Sequence, residues 1–297
     1  MFFFKIYPII PKVFKSTHLK FCLYGRMPAL YMKRIIHNIR EIKFRFLNRR
    51  DKMPYIVVDA GHGGYDNGTQ YFGYKEKDIN LRVATKVTNR LKTLGFDVIQ
   101  LRTDDSFIGT AAERGQMIAQ LNPDFAISIH INSSGGEGKL SGAEIITPSL
   151  KYDAHFEYYI KDALSWLNNF RMIYSRFYDT EAFQERLIDP KTLQFTEVYA
   201  DTDYYAIIKH AWAGGVPVDI IEMFYLDNEG DLYTFLNQED DYVEAIVYAL
   251  AQTFGVDYDQ EHRFESSTIE KSSSTKSWYR IVHTPGSKAW LQPITKK

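Results

Sequence analysis

Between residues 54 and 150 the chain alternates short apolar runs with longer amphipathic stretches, and this alternation leaves few folds open. Tyr55-Ile56-Val57-Val58 is a nearly continuous apolar run that ends at Gly61, Gly63 and Gly64, as a parallel strand buried on both faces does. Ile79, Val83, Val87, Leu91 and Leu94 then recur at three- and four-residue steps, which predicts an amphipathic helix over 77–94 that Gly95 stops. Phe96–Leu101 reads as a second strand, 111–121 as a second helix ended by Asn122-Pro123, Phe125–Ile129 as a third strand and Ala143–Thr147 as a fourth. The expected class is α/β: a mostly parallel sheet flanked by helices, in a single catalytic domain with N- and C-terminal extensions.

Around that domain, residues 1–53 form a basic leader. Thirteen of the 36 Lys and Arg fall in residues 1–52, against two of the 37 acids. Ile35, Ile36, Ile39, Ile42 and Phe46 give the leader an amphipathic spacing. It could lie on an anionic membrane or wall surface, or be a disordered or mis-started stretch ahead of Met53. Residues 54–256 make the catalytic domain, with an aromatic-rich elaboration at 151–213 that reads as helical. Within 54–256 a returning strand is expected at 216–221 and a helix at 240–254. Residues 257–297 form a polar linker and a short tail. Trp278–Leu291 hints at one strand pair of a small wall-binding barrel, too short to close one.

Composition removes several function classes. A net charge of -1 gives no electrostatic argument for nucleic acid as a partner. No apolar run reaches the roughly 18 residues that span a bilayer, and the opening Met1–Ile10 makes a weak export signal. The single cysteine, Cys22, rules out a disulfide within the chain and a cysteine-based zinc site. Any metal site in this chain must be built from His and carboxylate.

Four such residues fall at predicted strand ends or helix starts. His62 follows the first strand in Gly61-His62-Gly63-Gly64, Glu76 opens the first helix, His130 ends the third strand, and Glu222 ends the strand Val218-Asp219-Ile220-Ile221. Open α/β sheets bind ligands outside the carboxyl ends of their strands, so these residues are expected to converge. Two imidazoles and one carboxylate can hold a catalytic metal with a position left for water, which the metal acidifies while polarising a carbonyl. The second carboxylate, Glu222, would take the proton from that water and pass it to the leaving nitrogen. Asp59 reads as a support for the loop or as packing alone. Arg114 would orient a carboxylate in the site or make a salt bridge on the second helix. His155 and His210 sit in expected helices and are poorer ligands. The aromatics of 151–213 would pack in the core, or stack on sugar or peptide.

The blocks Ile56-Val57-Val58-Asp59-Ala60-Gly61-His62-Gly63-Gly64, Glu76-Lys77-Asp78-Ile79-Asn80-Leu81, Ser128-Ile129-His130-Ile131-Asn132 and Pro217-Val218-Asp219-Ile220-Ile221-Glu222 together resemble zinc-dependent N-acetylmuramoyl-L-alanine amidases of the autolysin and endolysin type. Leu101-Arg102-Thr103-Asp104-Asp105 and Ala112-Glu113-Arg114 extend the likeness, which covers about residues 54–256. The resemblance implies hydrolysis of the amide between the lactyl group of N-acetylmuramic acid and L-alanine in peptidoglycan. It implies Zn2+ on His62, Glu76 and His130, with Glu222 as the base. Two departures stand out: Met223-Phe224-Tyr225 follows Glu222 where a glycine and an aromatic are usual, and the third and fourth blocks lie farther apart than usual. A monomer acting at the bacterial cell wall is expected, either secreted or phage-encoded and released by a separate pore. Zinc hydrolysis of another peptide or amide bond, and a non-catalytic wall-binding module, are the alternatives.

Overall fold

The computed structural model describes residues 52–149, 154–167, 170–179, 182–188, 202–258, 279–282 and 290–293. Residues 1–51 of the expected leader and 259–278 of the expected polar linker lie outside these residues. In chain order the elements begin with β1 Tyr55–Ala60, β2 Gln70–Tyr71, β3 Tyr74–Lys75, α1 Glu76–Thr93, β4 Asp97–Gln100, α2 Ala111–Leu121, β5 Phe125–Asn132 and β6 Ala143–Ile146. They continue with α3 His155–Leu164, β7 Phe170–Asp179, β8 Ala182–Ile188, β9 Thr202–Asp203, α4 Ala206–Ala213, β10 Val218–Tyr225 and α5 Glu229–Phe254. A separate antiparallel pair, β11 Tyr279–Val282 with β12 Trp290–Pro293, forms in the tail, where the sequence hints at one.

One mixed sheet carries the order β4-β1-β5-β10-β6-β7-β8, with β9 also on β7. Strands β4, β1, β5 and β10 are mutually parallel, and β6 joins β10 antiparallel. This is the expected α/β class. Period-two alternation divides the strand residues between two cores. Ile56, Val58, Ile127, Ile129, Ile221 and Met223 pack with residues of α1, α3 and α5 on one face. Val57, Ala126, Ile146, Val218 and Ile220 pack with residues of α2 and α4 on the other. Continuing the second set by two residues along each strand gives Asp59, Ser128 and then His130, Glu144, and Glu222. The same periodicity that builds the second core therefore turns polar at one end of the sheet, and there the candidate site lies.

Three expectations need correction. Among the described residues, 151–213 are only in part helical: α3 and α4 fall there as expected, but between them β7, β8 and β9 extend the sheet on β6. Within β7 the aromatics recur at three- and four-residue steps, as on a helix stripe, yet Phe170–Asp179 is rich in the aromatic residues that a pleated surface accommodates. The returning strand also runs on to Tyr225, because Met223, Phe224 and Tyr225 prolong its buried run. Glu222 is thus inside β10 rather than at its end. The last helix begins eleven residues earlier than expected, at Glu229, and breaks at Gln238 (φ −134°, ψ 26°).

Candidate metal centre

His62 sits in the loop that leaves β1, in a left-handed conformation (φ 61°) followed by Gly63 and Gly64, also at positive φ. Two buried arginines hold that loop. Arg114 on α2 donates to Asp59 Oδ1 at 2.8 Å and to the carbonyls of Ala60 at 2.7 Å and His62 at 2.5 Å. Asp59 Oδ2 accepts from Ser128 Oγ at 2.7 Å. Arg102 donates to the carbonyls of Ala60, Gly61, Lys77 and Asp104 at 2.9–3.1 Å. Among the described residues, neither arginine hydrogen-bonds a candidate ligand's side chain. Both fix the backbone that carries His62, so Asp59 and Arg114 form a buried ion pair behind the loop. Arg114, expected either to orient a carboxylate in the site or to make a salt bridge on the second helix, thus pairs with Asp59.

The ligand-type atoms of His62, Glu76 and His130 all lie within 4.8 Å of one another. The two imidazoles meet edge to face, with ring centroids 4.9 Å apart. Glu76, at the first turn of α1, is the hub: its Oε1 lies 2.9 Å from His130 Nδ1 and accepts from the Ile131 amide at 3.0 Å, while its Oε2 lies 3.1 Å from His62 Nε2 and accepts from the Thr69 amide at 2.9 Å. Asn80, one turn along α1, donates to Oε1 at 3.3 Å. Two glycines leave room for this packing. A Cβ on Gly61 would stand 2.3 Å from His130 Cε1, and one on Gly68 (φ +61°) 2.4 Å from Glu76 Oε2.

Electrostatics within the cluster follow from burial and pairing. Burial pulls the His62 imidazolium down, but Glu76 and then Asp66 outweigh it and raise its pKa to about 9. Burial likewise opposes the charge on His130, and again Glu76 wins, so its pKa is raised. For Glu76 burial pushes upward, yet His130 and His62 hold the carboxyl well below the usual carboxylate range.

Glu222 is the Cα partner of His130 across the β5–β10 ladder and of Glu144 across β10–β6. Among the described residues nothing hydrogen-bonds its Oε2, which is buried. Burial raises the Glu222 pKa to about 7; His130 works against that rise, and Glu76 and Glu144 add to it. All four sequence-predicted residues therefore meet at one sheet edge.

Besides the role of Arg102, the sequence reading missed two supporting groups. Asp66 Oδ2 lies 2.9 Å from His62 Nδ1, and its Oδ1 accepts from the Gly68 amide at 3.1 Å, which orients the ring so that Nε2 faces Glu76. An acid four residues beyond a glycine-flanked histidine was the available signal. Glu144 accepts from Tyr225 OH at 2.6 Å and Asn132 Nδ2 at 3.1 Å, and pairs with Arg171 Nε at 2.7 Å. Nothing in the local sequence around Glu144 marks it, since its neighbours come from β5, β7 and β10.

A mixed sheet that gathers two imidazoles and two carboxylates at one strand edge defines an α/β domain with a His–Glu–His centre suited to a metal. The family model for N-acetylmuramoyl-L-alanine amidase matches residues 56–252, and the chain belongs to that family. Uncharacterized protein YqiI of Bacillus subtilis (strain 168) is 43% identical over 89 residues, 30% of this chain and 42% of that relative. A putative N-acetylmuramoyl-L-alanine amidase of Buchnera aphidicola subsp. Acyrthosiphon pisum (strain APS) is 36% identical over 110 residues, 36% of this chain and 46% of that relative. The matches thus span less than half the length of these relatives. The crystal structure of N-acetylmuramoyl-L-alanine amidase from Clostridium difficile 630 superposes with a TM-score of 0.52 at 22% identity, over 67% of this chain and 96% of that one, a likeness of fold.

Proposed function

We propose that residues 54–256 are a catalytic domain that hydrolyses the amide between the lactyl group of N-acetylmuramic acid and L-alanine in bacterial peptidoglycan. His62, Glu76 and His130 would hold Zn2+, and Glu222 would act as the general base. Family membership supports the substrate class. The observation that carries the mechanism is the buried, unpartnered Oε2 of Glu222 beside a cluster of two imidazoles and a carboxylate. A buried carboxylate oxygen without a hydrogen bond is costly, and such a cost is tolerated where function uses it.

The donor set fits zinc, which takes nitrogen and carboxylate ligands and can keep one position open. When bound, the metal supplies Lewis acidity at a carbonyl and lowers the pKa of water beside it. The chain's own residues do the rest. Asp66 fixes the His62 ring, and Glu76 is held by the Thr69 and Ile131 amides and by Asn80. Glu222, with a pKa of about 7, can accept a proton from the attacking water and deliver it to the leaving nitrogen. Among the described residues no helix is long and apolar enough to cross a membrane. Action at the cell wall follows from the substrate.

Chelation tests the metal assignment. Wall hydrolysis is expected to stop on dialysis against a chelator and to return with Zn2+, at about one equivalent per chain. His62→Ala should bind none. Because metal-free His62 carries a proton up to about pH 9, uptake should release protons and tighten as pH rises toward that value. Full turnover by metal-free protein would overturn the assignment.

A further inference from the structure

We propose that Tyr65, stacked on Phe107, is the platform of a saccharide subsite that binds an N-acetylated hexosamine ring next to the metal centre. The identity of the sugar rests on the amidase reading. Tyr65 is 79% exposed, yet its ring centroid lies 4.4 Å from that of Phe107 with the planes tilted by 31°. The loops that carry the two rings are locked together. Asp105 accepts from the Gly64 amide at 3.1 Å, and Lys77 Nζ bridges the Gly64 carbonyl and Asp105 Oδ2, both at 2.7 Å. A Cβ on Gly64 (φ +60°) would stand 2.7 Å from the Phe107 backbone nitrogen, so the loops press as closely as glycine permits. An aromatic face is therefore presented to solvent from a fixed support.

The rings border an open concavity of about 580 Å³ whose other lining includes Asp66, Asn67, Gln70 and Thr110. A flat apolar face rimmed by amide, hydroxyl and carboxylate groups suits a hexosamine, which offers a C–H face for stacking and hydroxyl and acetamido groups for hydrogen bonds. Position decides which part of the substrate belongs there. Asp66 lines the concavity and also holds His62 Nδ1, so the two sites adjoin. Beyond the scissile amide the stem begins with alanine, whose methyl group gives an aromatic ring little to stack on. The sugar side of the bond is the better occupant.

The test compares wild type, Tyr65→Ala and Tyr65→Phe, as full chains, on a disaccharide–peptide and on a sugar-free lactyl–peptide amide. On the disaccharide–peptide, Tyr65→Ala should raise KM roughly three- to tenfold with kcat nearly unchanged, and Tyr65→Phe should behave as wild type because stacking needs no hydroxyl. On the sugar-free amide all three should be equal. Equal KM on both substrates, or an equal loss on both, would overturn the subsite while leaving the amidase reading standing. Should none of the proteins hydrolyse either compound, the amidase reading fails. Calorimetric titration with the disaccharide–peptide then decides the subsite: a Kd weakened roughly three- to tenfold in Tyr65→Ala supports it, and an unchanged Kd or no wild-type binding rejects it.

Discussion

Glu222→Gln is expected to lower turnover by about 10²–10⁴-fold, the range that a positioned general acid–base contributes. Content of bound metal should not change, because the imidazoles of His62 and His130 gather around Glu76 and, among the described residues, none of the three hydrogen-bonds Glu222. Glutamine keeps the shape of the side chain and removes its capacity to take a proton, which separates chemistry from packing. The variant should also melt no lower than the parent. Oε2 has no hydrogen bond to lose among the described residues, and the ionised form is disfavoured by burial. Activity kinetics, metal analysis and a thermal melt read these outcomes together. A variant that retains more than about a tenth of wild-type turnover would remove Glu222 from the role of base.

The second large effect concerns the frame. Arg114→Ala should destabilise the protein by about 3–5 kcal/mol, the cost of leaving a buried charge without its partner. Asp59 is 1% exposed and, among the described residues, would keep only Ser128 Oγ as a side-chain donor. The same guanidinium holds the carbonyls of Ala60 and His62, so the left-handed turn at His62 loses its clamp as well. Against a total stability of about 5–15 kcal/mol, that loss is large enough to lower soluble yield. Urea denaturation measures it directly. A change below about 1 kcal/mol, the value of an exposed pair, would show that the Arg114–Asp59 contact is not the buried support described above.

Much of this was legible in the chain because the first half of the domain announces itself locally. The β1 run ending at glycines and the β5 run before His130 are short, nearly continuous apolar runs, the α1 stripe from Ile79 to Leu91 recurs at three- and four-residue steps, and each has a site residue beside its boundary. Glu222 was legible for the same reason, although Met223, Phe224 and Tyr225 carry β10 past it. Strands β7 and β8 were not legible. β7 spaces its aromatics like a helix, and β8 is exposed at five of its seven positions, so no hydrophobic alternation marks it. Asp66, Arg102 and Glu144 are ordinary charged residues whose roles depend on neighbours distant in the sequence, such as Ala60 and Lys77 for Arg102. Pattern reading finds the residues that a strand end delivers, and misses those that only the assembled loops bring into contact.

The central claim is the bond that is cut. Purified peptidoglycan incubated with zinc-loaded protein, followed by labelling of new amino termini, tests it most directly. L-alanine amino termini are expected to increase with time, without new reducing sugar ends, and to be absent with Glu222→Gln. New termini at internal peptide residues, release of acetate, or new reducing ends in place of L-alanine would contradict the proposed activity.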